Sequence, residues 1–260
     1  MSTLDLRRAT RRRPALEIDV RDVPAADLEA ARDNWRERMA SEHASARVFA
    51  ALVAPMMRAG LPEDDVRRVS EMVTQELDHA RLCARVLVAL GGEAVTTMPR
   101  LDDVPEHAGV SPLAAVLRNV ISIGCCSETV AVALVATERE LAGPEAVRRV
   151  LDQILADEIK HSRLGWRLVK RHAPLLSLRD RADVEAYLPD VFEHQLRFHA
   201  PFLQMPCASD AGTAIGAPHG RSNWTVFVEC MTQTIVPGLE ACGLGAAEAW
   251  AEVQRRRAAA

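Results

Sequence analysis

Glu76-Leu77-Asp78-His79 and Glu158-Ile159-Lys160-His161 are two copies of one unit, a carboxylate and an imidazole three residues apart. On an α-helix that spacing puts both side chains on one face, one turn apart. Each unit interrupts an apolar helical stripe. The first stripe runs Val69, Met72, Glu76, His79, Cys83, Val86, Leu90, and the second Val147, Leu151, Ile154, Glu158, His161, Gly165, Leu168. Steps of three and four alternate throughout, so Glu and His stand where core residues belong. An ionised carboxylate in a helical core costs on the order of several kcal/mol in desolvation unless something compensates it. A bound cation is the simplest compensation.

Two more stripes carry the same kind of interruption. Residues 25 to about 60 read as one long helix with the stripe Trp35, Met39, Glu42, Ala46, Phe49, Val53, Met56, bent near its end by Pro55 and stopped by Gly60. Ser111-Pro112 reads as a cap with proline in the first helical position. The helix it opens runs to about Ala142 with the stripe Leu117, Ile121, Gly124, Glu128, Ala131, Val135. Glu63-Asp64-Asp65 opens the helix of the first unit and Gly91-Gly92 closes it, while Gly143-Pro144 is a short turn into the helix of the second, which ends near His172. Residues 93–109, with Pro99 and Pro105 and little periodicity, have the length of a crossover running the height of a bundle.

The chain thus reads as all-α, and four successive helices deliver Glu42, then Glu76 with His79, then Glu128, then Glu158 with His161. One glutamate from each of two helices and Glu-x-x-His from each of the other two is the donor set of a dinuclear carboxylate site. Two divalent ions a few ångström apart need bridging carboxylates to offset their charge and an imidazole each.

Length and composition agree. A chain of 260 residues, 48% of them hydrophobic, holds enough apolar material for one large core. Its net charge of −4, with basic residues scattered along helices, argues against nucleic acid as the main partner. No run of eighteen apolar residues is present, which argues against a membrane span. Residues 1–24 are Arg-rich at the start, lack an apolar signal core, and read as a disordered tail. Six cysteines without a CxxC pair read as reduced thiols in the cytoplasm. Beyond residue 172 the signals weaken. Helices are expected over 182–199, 223–244 and 246–257 and a loop over 201–222, with no strand pattern anywhere. Residues 173–260 are expected to pack on the bundle of residues 25–172 as one domain.

Over residues 25–172 the chain resembles the ferritin-like diiron carboxylate superfamily, and all six ligand positions match. The resemblance implies a ferritin-like four-helix bundle with a long crossover between its second and third helices and additional C-terminal helices. It also implies two iron ions, or a manganese–iron or dimanganese pair, with O2 as co-substrate. Asp157, just before Glu158, matches the acid that orients a ligand histidine in the oxygen-activating members, whereas Gln75 holds the equivalent place before Glu76. A third histidine ligand occurs in the arylamine N-oxygenases of the superfamily, so His194 or His199 is a candidate, although five-residue spacing favours partial exposure of both. Gly124 leaves the metal-facing stripe without a side chain, either for close helix packing or for a substrate pocket beside the metals, and Cys125, with core packing as its other role, and Phe49 are further candidates for that pocket.

The implied function is an O2-dependent oxidase or monooxygenase acting on a small organic substrate, fed by an external reductase or ferredoxin. A ferroxidase or peroxidase of the ferritin and rubrerythrin kind is the alternative, and a tRNA-hydroxylase-like enzyme is the nucleic-acid alternative. Tyr187 is the only tyrosine and lies outside the four helices, which counts against radical generation. The apolar faces of the last helices, with Trp224, Phe227, Val228, Met231 and Ile235, either cover the approach to the metals or make a homodimer.

Overall fold

The computed structural model describes residues 2–98 and 103–259, and it is mainly helical. A short strand β1 (Thr3–Asp5) and helix α1 (Arg7–Thr10) precede the long helices α2 (Ala25–Arg58) and α3 (Glu63–Ala89). Gly60 and Gly91, both with positive φ, end these two helices where a side chain would be strained. Strand β2 (Val95–Thr97) follows α3 and pairs antiparallel with β1. Helix α4 (Pro112–Val120) starts at Ser111, whose hydroxyl accepts from the Ala114 amide at 3.2 Å. It continues through a π-helical segment, Ile121–Ser127, into α5 (Glu128–Leu141). Helix α6 (Glu145–His172) completes the set that carries the six candidate ligands.

Helix α2 lies along α3, α5 along α6, and α3 also meets α6. The apolar side chains fall into two clusters. One holds Phe49, Leu52, Met72, Ile121, Leu164 and Leu168, and the other Trp35, Met39, Cys83, Val86, Leu151 and Ile154. Along α2, α3 and α6, the crossing from one cluster to the other falls at Glu42, at Glu76 with His79, and at Glu158 with His161. A polar layer therefore sits between two dry ones.

Several expectations are corrected. Residues 1–24 are not a bare tail: β1 pairs with β2, and Leu4 is buried in the second cluster. Strands of three residues with a partner some ninety positions away carry no local pattern. The helix from Pro112 is not uniform, because its hydrogen-bond ladder opens into the π segment. There the Ser122 carbonyl accepts from Ser127 Oγ at 3.2 Å and from Gln195 Nε2 at 3.4 Å, so side chains satisfy what the ladder releases. Pro99 of the expected crossover lies outside the described residues.

Helix α7 (Leu178–His199) packs on α4 and the π segment. The expected loop over 201–222 instead contains a 3-10 turn, Ala200–Gln204, and helix α8 (Asp210–Ala214). It is pinned to α2 by bonds from Trp35 Nε1 to the Ile215 carbonyl and from Asn34 Nδ2 to the Gly216 carbonyl, both 2.9 Å. Helix α9 (Gly220–Glu229), a second π segment (Cys230–Ile235), α10 (Val236–Ala241) and α11 (Ala246–Ala258) follow. Phe227, Met231, Ile235 and Val253 are buried in the same cluster as Leu117 and Ile121. The apolar faces expected to cover the bundle or pair with a second copy are thus largely used inside this chain.

By length and composition Pro112–Leu141 could cross a membrane. Its contacts with α2, α6 and α7, and the burial of Glu128 on it, are those of a core helix.

Gly124 is closed rather than open. A Cβ there would stand 2.9 Å from Gly165 Cα, and a Cβ on Gly165 would stand 2.5 Å from the Gly124 carbonyl carbon. Two helices meet backbone to backbone one turn from the ligands, and the space expected for a substrate is taken by α6. Gly165→Ala is therefore expected to cost about 1–3 kcal/mol of stability, the range for overpacking a filled core. A denaturant melt with an unchanged midpoint would contradict this contact.

Candidate metal centre

Glu42 comes from α2, Glu76 and His79 from α3, Glu128 from the first turn of α5, and Glu158 and His161 from α6. The structure brings all six together. Their ligand atoms fall into two sets, each within 4.8 Å of one another: Glu42, Glu76, His79 and Glu158, and Glu76, Glu128, Glu158 and His161. Glu76 and Glu158 belong to both.

The oxygens are divided accordingly. His79 Nδ1 faces Glu158 Oε1 at 3.2 Å, Glu42 Oε2 at 3.5 Å and Glu76 Oε2 at 3.9 Å. His161 Nδ1 faces the other oxygens, Glu76 Oε1 at 3.1 Å and Glu158 Oε2 at 3.6 Å, together with Glu128 Oε2 at 3.5 Å. Two carboxylates thus bridge two half-sites, each completed by one imidazole and one terminal glutamate. Both Nδ1 atoms and Glu128 Oε2 are fully buried and make no aligned hydrogen bond. A cation placed among these buried polar atoms would satisfy them. These clusters are close enough to hold metal ions, and a set of one imidazole and three carboxylates fits iron or manganese.

The outer nitrogens are tied down. His161 Nε2 donates to Gln75 Oε1 at 2.9 Å, and His79 Nε2 faces Asp157 Oδ2 at 3.4 Å. Gln75 Nε2 in turn donates to Asp157 Oδ1 at 3.3 Å, which also takes Lys160 Nζ at 2.8 Å. An acceptor on each outer nitrogen keeps a proton there, so the neutral tautomer left when Nδ1 loses its own proton has its lone pair inward. Gln75 and Asp157 therefore form one strap across both histidines. Asp157→Ala should weaken metal affinity about 10–100-fold, and equilibrium dialysis showing wild-type affinity would contradict that role.

Without a cation, the layer holds protons. Burial pushes the Glu76 carboxyl well above its ordinary range, and pushes Glu128 up to about 8 with Glu158 adding to it. Burial opposes ionisation of Glu158 too, but the adjacent His161 and His79 hold it below the usual carboxylate range. Burial likewise opposes the imidazolium form of both histidines and is outweighed. Glu158 and Glu42 raise His79 to about 11, and Glu128, Glu158 and Glu76 raise His161 to about 12. Both imidazoles are then cationic at neutral pH and must each lose a proton when a metal takes Nδ1. Loading should release at least two protons per chain and tighten as pH rises from about 6 to about 8. Calorimetry in buffers of different ionisation enthalpy counts those protons, and a count of zero would contradict this charge arrangement.

Sequence reasoning missed Arg38 and Glu138. Arg38 is largely buried, hydrogen-bonds Glu138, stacks 5.5 Å over Trp35, and sets its Nε 3.8 Å from Glu42 Oε1. It stands one turn before Glu42, a signal readable in principle, but Glu138 meets it only through packing. Cys83 lies beside the same group, and burial first, then Glu42, pushes its thiol up.

Of the expected pocket residues, Phe49 touches the site, its ring edge-on to His161 with centroids 5.6 Å apart. Cys125 does not: it is fully buried in the first apolar cluster, and that burial pushes its thiol well up. Neither His194 nor His199 joins either ligand set. His194 is exposed, whereas His199, expected to be partly exposed, is buried against Phe198, Phe202 and Phe227. Burial lowers His199 to about 4, so it is a neutral core residue. Tyr187 packs on His107 and Arg118. No protein family, curated protein or solved structure matches this chain.

Proposed function

We propose that the chain is a ferritin-like oxidoreductase that holds two iron ions and uses O2 to oxidise a small organic substrate. The observation that carries this reading is the pair of ligand sets sharing Glu76 and Glu158. Four carboxylates offset the charge of two divalent ions, so the reduced pair would be held in a neutral layer. When bound, such a pair supplies reversible binding of O2 and its two-electron reduction. A manganese–iron or dimanganese pair would suit the same donors.

The protein's own part is to place and insulate. Glu76 and Glu158 set the spacing of the two positions, while Glu42 and Glu128 close the two ends. Gln75 and Asp157 hold the imidazoles with Nδ1 inward. Apolar clusters on either side exclude water, which keeps a strong oxidant from being quenched by solvent. Monooxygenation takes one oxygen atom into the substrate and reduces the other to water with two electrons and two protons. The electrons come from an external donor.

A second reading treats iron itself as the substrate, as in a ferroxidase. The closure of Gly124 by Gly165 favours it, because iron oxidation needs no organic pocket. Oxygen uptake tells the two apart. The oxygenase reading expects product from an organic substrate in step with O2 consumed, and the ferroxidase reading expects uptake to stop when added Fe(II) is spent.

Metal stoichiometry tests what both share. The wild-type chain should bind two ions. Glu42→Ala or Glu128→Ala should leave one tight position, whereas Glu76→Ala or Glu158→Ala should weaken both. Elemental analysis giving equal loss for terminal and shared glutamates would contradict the bridged arrangement.

A further inference from the structure

A cleft of about 260 Å³ opens between α3 and α6 on the outer side of the candidate metal centre, lined by Arg68, Glu71, Gln75, Lys160, His161, Arg163 and Arg167 among others. Its floor includes His161 and Gln75, the outer edge of one half-site. Its rim is cationic in a chain of net charge −4. Two of its four cations are paired. Arg167 shares the buried Asp65 with Arg171, Lys160 pairs with Asp157, and Glu71 takes Arg67. Arg68 and Arg163 are exposed and make no ion pair among the described residues, and with the second arginine on Asp65 they leave the cleft a surplus of positive charge.

The orientation of His161 limits what an occupant can do. Its Nδ1 faces the carboxylates, and its Nε2, on the cleft side, is held by Gln75. A molecule in the cleft meets the outer edge of the ring and is separated from the carboxylate cage by the imidazole itself. It is badly placed to be oxidised there. An electron, by contrast, needs no open coordination position, and a hydrogen-bonded imidazole is a short bridge between the surface and the centre.

We infer that this cleft is the docking surface of an acidic one-electron-donor protein, with Arg68 and Arg163 as its recognition charges. The inference rests on the proposed redox function and adds to it where the donor binds. Each encounter oxidises the donor by one electron, so two encounters supply the pair that monooxygenation consumes. Opposed surface charges raise the encounter rate and make it fall with salt.

The test uses full-length protein, metal-free and iron-loaded, with a plant-type [2Fe–2S] ferredoxin as the acidic probe. Binding to metal-free protein should weaken as salt rises. The double variant Arg68→Glu/Arg163→Glu should weaken it further by at least about tenfold, and Arg8→Glu, an exposed cation away from the cleft, should not. With iron loaded, the same double variant should slow reduction by ferredoxin by a similar factor and leave reduction by a small neutral mediator unchanged. Single Arg68→Gln and Arg163→Gln variants, milder at exposed positions, should give intermediate losses. Wild-type binding or wild-type electron delivery in the double variant overturns the inference. So does a loss of binding to bulk tRNA with none to ferredoxin, which would make the face a nucleic-acid surface. An iron-loaded protein that the small mediator cannot reduce contradicts the proposed function itself, whatever ferredoxin binding shows.

Discussion

Four carboxylates confined to one layer between two dry clusters are the constraint on which the rest of this structure depends. At close range and low dielectric their mutual repulsion and desolvation would each cost several kcal/mol on the order-of-magnitude scale for buried ions. In the metal-free chain the layer answers by keeping protons on His79 and His161 and by raising Glu76 and Glu128. Those protons are placeholders. Two divalent cations would supply the same positive charge at the same atoms, and that equivalence underlies the metal reading.

The surroundings are arranged to hold the layer still. Gln75 and Asp157 strap the outer nitrogens, Phe49 closes against His161, and Arg38 with Glu138 flanks Glu42. The contact of Gly124 with Gly165 lets the π segment and α6 approach at backbone distance, which brings Glu128 toward Glu158. Residues 173–260 add mostly to one apolar cluster, while Ile215 and Ala217, just after α8, join the other and seat on Trp35 beside Arg38. They reach the ligands from two sides, through Trp35 and Arg38 toward Glu42 and through Gln195, whose Nε2 donates to Ser127 Oγ at 3.0 Å, one residue before Glu128.

The ligands were legible because helical periodicity is local: a charged residue in phase with an apolar stripe stands out within a dozen positions. The strap was half legible, since Asp157 and Gln75 each precede a ligand glutamate, though their bond to each other needs α3 beside α6. Other features had no local signal. Ile121–Ser127 keeps the same three-and-four stepping as an α-helix, so its π character depends on Ser127 and the distant Gln195. Gly124 alone could mean a gap or a contact, and only Gly165, forty-one positions on, decides between them. His199 is buried by phenylalanines from three different elements, and β1 finds β2 across the whole of α2 and α3.

The most direct test of the dinuclear reading is anomalous diffraction from crystals of the full-length chain loaded with iron. Two peaks should appear in the polar layer, about 3.5–4 Å apart, one beside His79 and one beside His161, with Glu76 and Glu158 between them. A single peak, or iron bound only outside the layer, would contradict it.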